Sequence, residues 1–178
     1  MNGVVVMKAS KACVLLLSTV FVLLAACAQK NITAREGRFF FGVSEAYPGG
    51  KEGVEPSLSL SMETEKIYPC CNYSIETFFQ RLGSLLSVNV RGIYKPDICL
   101  TALGPAGWGD FLELEEGIYS LEFMDGLQKN VFELTVSQDS MTVAEASGFG
   151  LGFALPKYTV FWRYPRNSFA ILCGTMND

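Results

Sequence analysis

The chain has 178 residues, 49% of them hydrophobic and 18% charged, with 14 Lys and Arg against 18 Asp and Glu for a formal charge of −4. That length and apolar content suffice for one sizeable core, and an acidic balance with no basic patch excludes nucleic acid as an expected partner. Histidine is absent, which removes the commonest metal ligand and the side chain most used for proton transfer near neutral pH. A Ser-His-Asp or Cys-His nucleophile therefore cannot be assembled within the chain.

Lys8 and Lys11 precede an apolar run over residues 14–24 that ends in Leu24-Ala25-Ala26-Cys27. The run is shorter than the roughly 20 residues a membrane-spanning helix needs. A basic start, an apolar middle and small residues at the end form the secretory pattern. Met7 is an alternative start, since residues 1–6 add apolar chain ahead of the first charge. These residues resemble a bacterial lipoprotein signal peptide with its lipobox. The resemblance implies cleavage before Cys27, acylation of the Cys27 thiol, and a protein lipid-anchored in the cell membrane or outer membrane, facing periplasm or exterior. Buried methylenes contribute about 0.8 kcal/mol each, so several acyl chains hold firmly. Ala28, where enteric inner-membrane lipoproteins carry aspartate, points by the same resemblance to the outer membrane or surface.

Cys13 leaves with such a leader and Cys27 takes the lipid, so Cys70, Cys71, Cys99 and Cys173 remain. An even count in an oxidising compartment favours disulfides. A Cys70–Cys71 bond would close a strained ring between neighbours. Two arrangements stay open, in which Cys70 and Cys71 each reach one of Cys99 and Cys173. The alternatives are a redox or soft-metal site, against which stands the lack of any CxxC, and reduced buried thiols. No metal and no cofactor are expected.

In chain order, residues 28–37 read as a polar tether. Phe39-Phe40-Phe41 is too apolar to stay in water and docks on the domain, and Pro48-Gly49-Gly50 breaks the chain. The expected organisation is a signal peptide at 1–26, a tether and docking segment at 27–55, and a domain at 56–178. Leu58, Leu60 and Met62 alternate with polar residues, as do Tyr73, Ile75 and Thr77, and then Val88 and Val90, the pattern of half-buried strands. Gly83 within residues 81–84 marks a hairpin. Ile75, Phe78, Phe79, Leu82 and Leu86 also fit one helical face, but Gly83 interrupts it. Residues 98–103 read as a buried strand carrying Cys99, and Gly104-Pro105-Ala106-Gly107-Trp108-Gly109-Asp110 as a loop. Tyr119, Leu121 and Phe123 share a strand face, Asp125-Gly126 turns, and Phe132, Leu134 and Val136 form the partner. Gln138-Asp139-Ser140 turns into residues 141–144. Tyr158, Val160, Trp162 and Tyr164 alternate, Pro165-Arg166-Asn167 turns, and residues 169–173 form a last strand.

Many short strands with Gly and Asn/Asp turns indicate an all-β fold, an antiparallel β-sandwich. The Gly117-x-Tyr119-x-Leu121-x-Phe123 strand and its turn resemble those of bacterial immunoglobulin-like and carboxypeptidase-regulatory-like sandwiches over residues 117–146. Trp108, in a glycine-rich stretch, is the candidate ligand-binding residue, able to stack on a sugar or fill a partner's pocket; the competing reading folds it back on the core. Gly148-Phe149-Gly150-Leu151-Gly152 lacks the following helix a phosphate loop needs. Asp110, Glu113, Glu115 and Glu116 lack EF-hand spacing and read as a solvated edge. The Asn31 and Asn72 sequons carry little meaning in a bacterial lipoprotein. The expected function is a non-catalytic envelope module that binds another envelope protein or a glycan. The alternatives are a structural component of an envelope assembly and an envelope enzyme working without histidine.

Overall fold

In the computed structural model, residues 31–46, 56–126, 128–147 and 152–165 are described. The leader, Cys27, Pro48-Gly49-Gly50, Gly148 to Leu151, and the expected last strand with Cys173 lie outside the described residues. Among the described residues every regular element is a strand: β1 (Ile32–Thr33), β2 (Phe39–Ala46), β3 (Ser57–Tyr68), β4 (Ser74–Leu82), β5 (Leu85–Tyr94), β6 (Gly104–Leu112), β7 (Gly117–Asp125), β8 (Gln128–Val136), β9 (Ser140–Ser147), β10 (Ala154–Pro156) and β11 (Val160–Trp162). The helical alternative for residues 75–86 gives way to the β4–β5 hairpin. Leu82 pairs with Leu85, and Gly83 supplies the positive φ of 59° that a two-residue hairpin turn demands.

The all-β class is as expected, but the pairing is not purely antiparallel. The strands follow one path, β10-β2-β3-β6-β4-β5-β7-β8-β9-β11, with β1 on β5. Three ladders run parallel: β10 with β2, β4 with β6, and β5 with β7. The cause is the course of β6. It pairs with β3 instead of with its sequence neighbours, so β5 and β7 meet across a crossover and run the same way. The result is a mixed sheet curled into a half-barrel.

Curling brings distant strands face to face around one core. Phe41 on β2 lies 4.5 Å from the Phe123 ring on β7 and 4.8 Å from Phe132 on β8. Leu60, Leu86, Val88, Leu121 and Leu134 are fully buried in the same cluster. Phe39-Phe40-Phe41 thus does more than dock: it begins a strand paired with β3 along its whole length. β1 and β2, upstream of Pro56, belong to the same unit, Ile32–Asp178, as the strands that follow.

The two edges of the path are joined by one segment. Residues 152–165 pair first with β2 through β10 and then with β9 through β11. Buried Asn130 holds the start of this segment, accepting from the Phe153 and Ala154 amides at 3.1 and 3.2 Å. Glu45 holds its end: its carboxylate accepts from Arg163 Nε and from the Tyr164 amide, both at 2.7 Å.

Two glycine-rich strand positions explain themselves by contact. Gly92 has φ 145°, and a Cβ there would stand 2.4 Å from the Thr33 carbonyl, so only glycine lets β1 lie against β5. Gly104 lets the turn bearing Cys71 approach, with a Cβ placed 3.2 Å from the Cys71 backbone.

Candidate functional site

One end of the barrel gathers the first described residues and the cysteines. Ile32 pairs with Tyr94 and Thr33 with Ile93, so the chain enters beside the base of the 95–103 connection. The expected polar tether is tied down over its described part. Arg35 donates to Asp125, to Gln128 Oε1 and to the Gly37 carbonyl, and its guanidinium lies 4.9 Å from the Phe153 ring centroid. Lys66 is paired with Glu36; that hydrogen bond raises its pKa above the ordinary lysine value. Tyr68 stacks on Tyr73 at 4.6 Å, and burial raises its phenol above the ordinary value.

The 98–103 stretch is not the expected buried strand. It is an exposed connection, with Ile98 78% and Leu103 77% accessible and Leu100 also open to water. The reason is local. Asn72 Nδ2 donates to the Ile98 carbonyl at 2.7 Å, and its Oδ1 accepts from the Leu100 amide at 3.1 Å. The side chain of Asn72 thus occupies backbone groups that a neighbouring strand would need. Cys99 between them is bonded to Cys70, with Cα atoms 5.3 Å apart. That is one half of the pairings left open by the sequence. Cys71 is an exposed free thiol among the described residues.

Removing the bond tests its weight. The cross-link spans a sequence separation of 29, and chain entropy assigns such a loop about 3–4 kcal/mol. A Cys70→Ser/Cys99→Ser variant is expected to lose that much in urea unfolding. An unchanged midpoint would show that Asn72 alone holds the connection.

Trp108 sits in a strand, not in a glycine-rich loop. It faces Met62 across the β3–β6 ladder, is half-buried against the core, and lies 6.1 Å from the Phe79 ring. The competing reading, in which it folds back on the core, describes it. Gly107 and Gly109 are accommodated here because they pair with Glu63 and Ser61 on β3, and Pro105 falls where the β3–β6 register slips between Glu63 and Ile67. Proline has no amide to give a ladder and is tolerated at such irregularities. Thr64 bridges the slip, accepting from the Ala106 amide at 2.9 Å and donating to the Lys66 carbonyl at 2.8 Å.

The opposite end holds the β6–β7 connection and β11. Asp110, Glu113, Glu115 and Glu116 are all exposed. Among the described residues, no three acidic or cysteine side chains could together hold a metal ion. The Tyr119 hydroxyl donates to the Glu115 carbonyl at 3.0 Å, which ties this connection to β7.

The sequence leaves open which face of the residue 158–164 stretch meets water. Val160 and Trp162 on β11, and Tyr158 and Tyr164 on either side of it, are all exposed. Trp162 is 73% and Tyr158 70% accessible, while intervening Phe161 packs on the core and Arg163 turns to Glu45. Alternation marks a two-faced strand without saying which face is wet. The arginine between two aromatics was the available signal, because its buried acidic partner fixes the opposite parity.

Comparison with known proteins gives no match: no family model, no curated protein and no solved structure is similar to this chain.

Proposed function

We propose that the chain is a lipid-anchored protein of the bacterial envelope, a non-catalytic module that binds another envelope protein. Leu24-Ala25-Ala26-Cys27 after a short apolar run supports the anchor. The sheet is read as sandwich-like, β2 and β3 lying over β7 and β8 with the aromatic contacts of Phe41 between them.

The observation that carries the binding role is the outward row of Tyr158, Val160, Trp162 and Tyr164. Exposed tryptophan and tyrosine are the side chains that most often dominate protein interfaces, because they bury large area at little cost in side-chain freedom. Arg163 locks the row in place through Glu45, so little ordering is left to oppose binding. Trp162 aligns with Ser140 at the β8–β9 turn, at the end remote from the first described residues, which suits a partner reached from an anchored base.

A photo-reactive residue in place of Trp162, in full-length protein in its own membranes, tests the role. The expected result is one discrete cross-linked protein, absent when the probe replaces exposed Ile118 and lost when Tyr158→Ala and Tyr164→Ala are added. Equal cross-linking from both positions would overturn it.

A further inference from the structure

We infer that the 95–103 connection is a second membrane contact, an apolar tip that enters the lipid surface beside the acylated N terminus; this rests on the reading of Cys27 as the anchor. Cys27 stands five positions before Ile32, and that length of chain spans at most about 18 Å. Ile32 is paired with Tyr94, whose next residue opens the connection. The anchor is therefore leashed to the end of the sheet that carries this loop.

The loop itself has the properties such a contact needs. Ile98, Leu100 and Leu103 turn their side chains to water, and Ile67, exposed on β3 beside Pro105, extends the apolar rim. Ordinary surface loops are polar, and a group of aliphatic side chains at one tip marks an interaction site. The Cys70–Cys99 bond and the two hydrogen bonds of Asn72 hold the tip before any lipid arrives, which lowers the ordering cost of insertion. Buried aliphatic carbons add to the anchor's hold at about 0.8 kcal/mol per methylene.

The test places tryptophan at the tip. Full-length Ile98→Trp protein is reconstituted into phosphatidylcholine–phosphatidylglycerol vesicles whose acyl chains carry bromine, with the parent protein giving the background from Trp108 and Trp162. Ile118→Trp, exposed on β7 near the far end, is the control. Intact mass reports the lipid on Cys27, and thiol labelling reports that the Cys70–Cys99 bond is kept; Leu103→Trp replaces Ile98→Trp if that bond is lost. The expected result is bromine quenching and a blue shift of the tip tryptophan beyond the parent, with neither in Ile118→Trp. Lipidated protein whose tip tryptophan behaves as the control overturns the loop contact and leaves the anchor standing. A mass without lipid on Cys27 overturns the anchor and this inference with it.

Discussion

Phe41→Ala is expected to lower the unfolding free energy by about 4 kcal/mol, the usual cost of removing a fully buried phenylalanine. The expectation rests on place as much as on area. Phe41 is fully buried, and its ring meets both Phe123 and Phe132, which come from the opposite half of the strand path. Those two rings are themselves 6.0 Å apart, so the truncation empties the centre of a three-ring cluster where the curled sheet faces itself. Neighbouring side chains cannot close the gap without moving two separate ladders. Urea unfolding gives the measurement, with the slope unchanged if only stability is altered. Phe40→Ala, on the half-buried face of the same strand, is expected to cost far less. Similar losses at both positions would mean that the two halves do not pack as described.

Arg163→Ala is expected to cost about 3–5 kcal/mol, and more than Glu45→Ala. The Glu45 side chain is only 1% accessible, while Arg163 retains 24%. Removing the arginine leaves a buried carboxylate with the Tyr164 amide as its remaining contact in this pair of elements. Removing the glutamate frees an arginine that can turn to water and still donate to the Ser137 carbonyl. The asymmetry follows from desolvation: a stranded buried charge is costly, an exposed one is not. Unfolding of both variants and of Glu45→Ala/Arg163→Ala closes a double-mutant cycle. The double variant should be more stable than Arg163→Ala alone, because it buries no unpaired charge. If Arg163→Ala is harmless, the clasp does not hold β11 across the barrel edge.

The strands with plain alternation were legible in the sequence, and for a physical reason. Leu58, Leu60 and Met62, or Tyr119, Leu121 and Phe123, each place large apolar groups on one face, and those faces are buried. Gly83 and Gly126 announced their turns because positive φ selects glycine. β6 was illegible because its inward residues include Gly104 and Ala106. Their lack of bulk erases the alternation, and they are small because the Cys71 turn and the β3 ladder come close. The 98–103 stretch misled in the other direction. Its hydrophobicity suggested burial, but Asn72 and Cys99 fix it as a loop, and neither constraint has a period. Topology was hidden for a further reason. Short connections suggested that neighbours in sequence pair, and only the long-range partnership of β3 with β6 shows otherwise. Of the candidate site residues, Cys70 and Cys99 come together, Trp108 joins the core's margin, and Trp162 takes its place at the surface.

Mass spectrometry of the N-terminal peptide of full-length protein extracted from bacterial membranes tests the central claim most directly. The account predicts a peptide that begins at Cys27 and carries the mass of acyl chains on that residue, shifted to an uncleaved, unacylated form in Cys27→Ser. A peptide that runs through Leu24-Ala25-Ala26-Cys27 in the unaltered protein, with the Cys27 thiol free, would contradict it.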